Sequence, residues 1–466
     1  MIHKYIFYAF FCISIFACKK KSVLTIDIDT NKKLYAIGQF KGSSTCTATY
    51  IEIPNQSIDS PAYIITNGHC AIDFFEDNAI NVDVPLYATI LFKQLENLSE
   101  NESVQFTTKR IVYSTMKGTD LAIIELNHTN RALQNAGIYP LPIANSIPAT
   151  GTKVQAYGYP LAFSSVFLRS TSGEIGEQST VAEFIWLWNK MYAANLPNIS
   201  PGSSGSPVFT DLSKGIWGLV NTTTIGGLGT CELGSPCEFS INKPPIQKNN
   251  TTYILDILKI KDCFNAKGSF DMNAEHFPYE KPSDFTVSLQ DNVRNFNSTT
   301  AKTNKLIFNV NNHSNTSYKI ELFENYHPAN TNGFNPVQAT TVKTDFPTQE
   351  GFYIISIIKD HKIDQAKYLT FKMDYTPPAI DLIKLNQIAS TEGYEISPIF
   401  AYPELTQFNW KFGSKDTCNC NEDKDYGIYN RIPKNFTKAA LPVRVCIKGL
   451  DLAGNETAPK EFLILK

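Results

Sequence analysis

Short apolar runs of strand length recur along this chain, separated by clusters of Gly, Asn, Ser and Pro. "LYAIGQF" (Leu34 to Phe40), "TATYIEI", "AYIIT", "ATILF", "DLAIIEL" (Asp120 to Leu126), "KVQAYGY", "IWGLV" and "YILDIL" each read as one strand. Sustained helical periodicity is missing, so the region from Asn31 to Cys263 predicts an all-β double barrel or a large sandwich. "VAEFIWLWNKMYAA" (Val181 to Ala194) is a long apolar run that predicts a strand plus a loop. After Cys263 the polar stretch "NAKGSFDMNAEHFPYEKPSD" predicts a linker over 266–284. Alternation then becomes more regular, in "FTVSL", "KLIFNV", "SYKIELF", "GFYIISIIKD" and "YLTFKMD". "DYTPP" interrupts it, because two prolines stop a strand. "YEISPIF", "FNWKF", "LPVRVCIKGLD" and "FLILK" follow. Two β-sandwich domains are expected, over 285–376 and 377–466.

Composition narrows the class. The chain has 466 residues, room for two to four domains. Its formal net charge of -2 argues against a nucleic-acid partner, which requires a basic face. The first residues read as a targeting segment over 1–17. An apolar run from Ile6 to Ala17 is too short for a permanent membrane span. It ends in "IFAC", which resembles a bacterial lipobox with Cys18 as the lipidated residue; Phe16 departs from the small residue usual there. A polar tether over 18–30 follows. The expectation is export to a bacterial cell envelope, with a lipid anchor as the membrane contact. "VRVCIKGLDLAGNETAP" (Val443 to Pro459) resembles the closing strand and turn of bacterial Ig-like repeats, and "GFYIISIIKDHKID" is a weaker copy. In an oxidising compartment the eight cysteines beyond Cys18 suggest disulfides. Cys231 and Cys237 can close a small loop, leaving Cys263 for one of Cys418, Cys420 or Cys446. "CNC" at Cys418 to Cys420 lacks the spacing zinc requires, so neither a metal nor a cofactor is expected.

Candidate chemistry centres on "PGSSGSPVF" (Pro201 to Phe209). Acyl transfer needs a serine beside a base, with backbone N–H groups aimed at the developing oxyanion. Gly202 can turn the chain so that its own N–H and that of Ser204 point into one hole. Only His69 and His128 offer a base between the targeting segment and Cys263. His128, in "LNHTN", reads as a solvated turn residue. His69, in "AYIITNGHC", stands where a strand ends, and a bridge from Cys70 to Cys46 would pin its loop. Asp120 enters an apolar strand, where a lone acid is costly unless paired. Glu125 in the same run reads as facing water.

At this point the sequence resembles the chymotrypsin/trypsin-like serine proteases. "TNGHC", "DLAIIEL" and "GSSGSPV" match the family's histidine, aspartate and serine motifs in the same chain order. "CTATYI", "GTKVQAYGYP" and "GIWGLVNTT" match neighbouring strands. The resemblance covers 31–265 and implies a double six-stranded β-barrel followed by two Ig-like sandwiches. It implies that Ser204 is the nucleophile, His69 the general base and then acid, and Asp120 the group that orients His69. Gly202 and Ser204 N–H groups would form the oxyanion hole, and Cys46 and Cys70 a disulfide. The expected partners are protein or peptide substrates, and the expected state is a monomer. Counting back from Ser204 puts the specificity-pocket base near Asn198 and Ile199 and its wall at Asn221, Thr222 and Thr223. Asn198 is not the acid that a trypsin-like preference for Lys or Arg needs, so a neutral or polar preference is expected there. Family zymogens carry Asp just before the nucleophile, to pair with a newly cut N-terminus; here that residue is Ser203, so no such switch is expected. The rival expectation is a surface binding or adhesion lipoprotein with a catalytically weak or inactive protease-like domain.

Overall fold

The apolar runs close into two rings. The computed structural model describes residues 32–42, 44–72, 80–96, 98, 102–162, 167–184, 186–225, 231, 233–239, 245–282, 285–290, 295–298, 305–326, 330, 332–363, 366–399 and 405–465. The first ring is built from β1 (Ile37–Lys41), β2 (Thr45–Tyr50), β3 (Pro61–Thr66), β4 (Ile80–Pro85), β5 (Thr89–Phe92), β6 (Val104–Thr115) and β7 (Leu121–Thr129). Six of them run β6-β5-β1-β2-β3-β7, and β6 pairs back to β7 to close the barrel, while β4 adds to the outer edge of β6. Strand β7 is buried from Leu121 through Leu126, which is why it reads as a continuous apolar run instead of an alternating one.

The second ring contains β8 (Lys153–Gly158), β9 (Arg169–Glu183), β10 (Trp186–Ala194), β11 (Pro207–Phe209), β12 (Gly218–Thr223), β13 (Cys237–Phe239), β14 (Ile246–Gln247) and β15 (Thr252–Asp256). It closes in the order β10-β15-β12-β11-β8-β9, with β9 pairing back to β10 and the β13–β14 hairpin hanging on β9. Its core joins Val154, Ile175, Leu196, Val208, Val220 and Ile254. The run from Val181 to Ala194 is the end of β9 and all of β10, joined by a tight hairpin in which Glu183 pairs with Trp186. It is two strands, not a strand plus a loop, because both faces of this ribbon are covered.

Beyond the barrels the chain builds two further two-sheet units. A three-stranded sheet and a five-stranded sheet over 287–373 share a core containing Phe308, Ile355, Leu369 and Phe371. A three-stranded and a four-stranded sheet over 384–464 share one containing Phe408, Val445 and Ile447. Among the described residues no helix is long and apolar enough to cross a membrane. The targeting segment, the tether and Cys18 lie outside the described residues.

Four further sequence expectations change. The stretch after Cys263 is not a free linker: Phe270, Phe277 and Tyr279 pack around Tyr113 of β6, and the Tyr113 hydroxyl donates to the Glu280 carbonyl at 2.9 Å. Aromatic residues spaced through a polar segment give it an apolar face to lay on the barrel. Cys263 is buried as a free thiol under this strap, and burial raises its pKa. Disulfides instead join Cys46–Cys70, Cys231–Cys237 and Cys420–Cys446. Glu125 does not face water: its side chain is buried, accepting from Lys109 at 2.6 Å and from Arg110 at 2.9 and 2.7 Å. Nor is His128 a turn residue; it ends β7 with its ring edge-on to Phe106.

Candidate active site

His69 and Ser204 reach one cleft from separate elements, and Asp120 is buried behind His69. Strand β3 ends at Thr66, and one helical turn (Gly68–Ala71) follows, presenting His69. The Cys46–Cys70 disulfide ties that turn to β2. Asp120 precedes β7 and is fully buried. One of its carboxylate oxygens accepts the His69 backbone N–H at 3.0 Å, and the other meets His69 Nδ1 at 2.7 Å. The Asn67 side chain donates to the Asp120 carbonyl at 3.0 Å. A lone acid entering an apolar strand is thus fully engaged. Gly68 is required here, because a Cβ would run into the Thr115 carbonyl and press on the Asp120 carboxylate.

The bond to a carboxylate fixes the histidine tautomer. Nδ1 must carry the proton it shares with Asp120, which leaves the Nε2 lone pair of the neutral ring as the base. Burial works against the charged ring, but the Asp120 carboxylate and its hydrogen bond outweigh it, and the His69 pKa is raised. Cys46 and Cys70 lie within 4.8 Å of the His69 ring nitrogens, but their sulfurs are bonded to each other and do not form a thiolate metal site.

The nucleophile loop is held from beneath by Thr47 of β2. Its N–H donates to the Ser204 carbonyl at 2.8 Å, and its hydroxyl to the Gly202 carbonyl at 2.9 Å. The same hydroxyl accepts the Tyr159 N–H at 3.0 Å, so one side chain of the first barrel fixes two segments of the second. Gly202 has φ +92° and Gly205 φ +80°, both in the left-handed region. Among the described residues no acceptor takes the N–H of Gly202 or of Ser204, the two donors expected for an oxyanion. Ser204 Oγ lies 3.4 Å from the Asn221 carbonyl. Ser203 is buried and satisfied locally: its N–H donates to the Ser200 carbonyl at 2.9 Å, and its hydroxyl accepts the Ser200 N–H at 3.3 Å.

The cleft has a volume of about 290 Å³. Ile199, Asn221, Thr222 and Thr223 line it, as expected, together with His69, Gly202 and Ser204. Asn198 does not; it is exposed in a left-handed turn (φ +63°) outside the cleft wall. The sequence reading passed over Met116, Trp186, Trp188 and Glu183, which complete the wall. Glu183 carried a visible signal, an acid inside the apolar "VAEFIWLW", the same kind that singled out Asp120. It accepts the Gly234 N–H at 2.6 Å, and burial pushes its pKa up to about 7.

Residues 48–216 match the family model described as a trypsin-like peptidase domain. Among solved structures, the chain resembles a thermostable serine protease AL20 from an extremophilic microorganism, at 20% identity over 48% of this chain and 92% of that one, with a TM-score of 0.29. It also resembles kallikrein-related peptidase 10, at 14% identity over 49% and 93%, with a TM-score of 0.30. The human heparin binding protein follows at 12% identity over 50% and 90%, with a TM-score of 0.32. No curated protein sequence matches the chain. The two closed six-stranded rings have the chymotrypsin-like architecture. This is a protease-like fold, in agreement with the trypsin-like peptidase domain matched over residues 48–216.

Proposed function

We propose that the chain is a serine endopeptidase acting through Ser204, His69 and Asp120. The observation that carries this reading is the double engagement of Asp120 with His69, at 3.0 and 2.7 Å, in the cleft that holds Ser204. Nε2 of His69 takes the Ser204 proton as Oγ attacks the scissile carbonyl carbon. Asp120 stabilises the resulting imidazolium. The carbonyl oxygen becomes an oxyanion and accepts from the N–H groups of Gly202 and Ser204. Collapse expels the amine, which takes the proton from His69, and leaves an acyl-enzyme. Water, deprotonated by His69, then attacks that ester and frees Ser204.

The local satisfaction of Ser203 supports a site that assembles without a freshly cut N-terminus. The apolar run before Cys18 supports export with a lipid anchor at a bacterial envelope. The two-sheet units after residue 284 support Ig-like spacer or docking modules. The test of activity is labelling of the uncut full chain by a fluorophosphonate, together with hydrolysis of a peptide library. Both are expected, and Ser204→Ala should abolish both. An unlabelled chain would favour the binding or adhesion reading, and one labelled only after cleavage near Lys33 would restore a zymogen switch.

A further inference from the structure

The buried acid beside the triad is unexplained by catalysis. Glu183 is only 4% exposed, yet it stands on the cleft wall. Among the described residues no lysine or arginine lines the cleft; the ring of His69 is the one basic group on its wall, and its influence on Glu183 is outweighed by burial. Burying an unpaired carboxylate costs several kcal/mol, so proteins rarely retain one without a counter-charge. The surrounding structure nonetheless fixes this one in place. The β9–β10 hairpin sets its backbone, and the loop closed by Cys231–Cys237 delivers the Gly234 N–H to it. The indoles of Trp186 and Trp188 stack on each other with centroids 5.7 Å apart, and both line the same cleft as Glu183.

A carboxylate next to aromatic walls, in a cleft without its own cation, is the chemistry that receives an ammonium or guanidinium. We infer that Glu183, with Trp186 and Trp188, forms a subsite for a lysine or arginine side chain of the substrate, separate from the primary pocket. Its position follows from β12. Ser204 Oγ lies against the Asn221 carbonyl, and the carboxylate of Glu183 is held by the hydroxyl of Thr222, the next residue along. The subsite therefore adjoins Thr222, one residue along β12 from the carbonyl that Ser204 faces. A bound cation supplies the missing counter-charge, and the acid ionises as it binds. The negative field of Asp120 and Glu183 favours the same sign of substrate charge.

This inference rests on the protease reading for its substrate, but it can be measured without turnover. Full-length Ser204→Ala is titrated with fluorescent peptides in pairs that carry lysine or norleucine at one scanned position. At one scanned position lysine should bind about tenfold tighter than norleucine, the scale of a partly desolvated cation contact. Adding Glu183→Gln should bring that ratio close to one. Glu183→Asp, which keeps the charge, should retain most of the preference. Loss in Gln but not in Asp supports the subsite. Loss in both variants, in neither, or no lysine preference at any scanned position overturns it. Failure of the parent to take a fluorophosphonate counts against the protease reading alone, because the lysine ratio is read independently.

Discussion

At the scale of single residues, two buried acids meet opposite electrostatic fates. Asp120 has three hydrogen bonds through its carboxylate and carbonyl, one of them with the His69 imidazole, so its charge is compensated within the protein. Glu183 has one backbone donor and a threonine hydroxyl, and burial dominates. The unfolded chain loses the Glu183 proton near pH 4.5, and the folded chain near 7. Between those values the unfolded state ionises more readily, so rising pH removes folding stability, on the order of 3 kcal/mol in all. The loss should level off above about pH 7. Glu183→Gln lacks this titration. Thermal melts should therefore show the Gln variant gaining on the parent between pH 4 and 8, and parallel curves would contradict the assignment. The contact between His69 and Asp120 was legible because each stands in an unusual local setting, and chain order joined them to Ser204 as the proposed triad. Glu183 gave the same local signal without a motif to attach it to. Thr47 gave none, since a threonine in a strand is ordinary and its role exists only where two barrels meet.

At the scale of elements, strand existence followed from apolar periodicity, whereas pairing did not. The ring closures β6–β7 and β9–β10 join segments whose patterns carry no information about partner or register. The nucleophile loop is the element where sequence and structure agree most closely, because its glycines are there for stated geometric reasons. At Gly205 a Cβ would collide with the Thr47 carbonyl and Thr66 Oγ1. Gly205→Ala should cost about 3 kcal/mol or more in denaturant unfolding and remove activity. Gly137 is the matched control: its φ is +76°, but a Cβ there meets nothing within 4 Å. Gly137→Ala should cost about 1 kcal/mol, the backbone contribution alone. Equal losses at the two sites would show that the packing beneath Ser204 is not restrictive.

At the scale of the whole molecule, the tail and the catalytic barrels share contacts. Phe323 meets Phe239 edge-on at 4.2 Å, in an apolar cluster with Ala182, Leu187 and Ile354. Thr370 donates to the Phe184 carbonyl at 3.2 Å, at the tip of the hairpin that carries Glu183. The strap over 264–282 reaches the other side of the cleft. Its Glu280 pairs with the buried Lys117, three residues before Asp120, and Met116 of that loop accepts the Trp188 indole N–H at 3.2 Å. Breaking such a pair leaves an uncompensated buried ammonium. Glu280→Gln should lower stability by about 2 kcal/mol and reduce kcat more than it raises KM, because the loop aims Asp120. A change in KM alone would place the strap outside catalysis. Composition had marked this segment as linker; its aromatic residues Phe270, Phe277 and Tyr279 were the overlooked sign that it had a surface to cover.

That strap also bears on the order of events at the ribosome. Both barrels are complete once Asp256 has emerged, but the loop that aims the catalytic acid receives its counter-charge only from Glu280, 24 residues later. A chain that ends after the barrels thus carries His69, Asp120 and Ser204 without the contact that steadies the loop before Asp120.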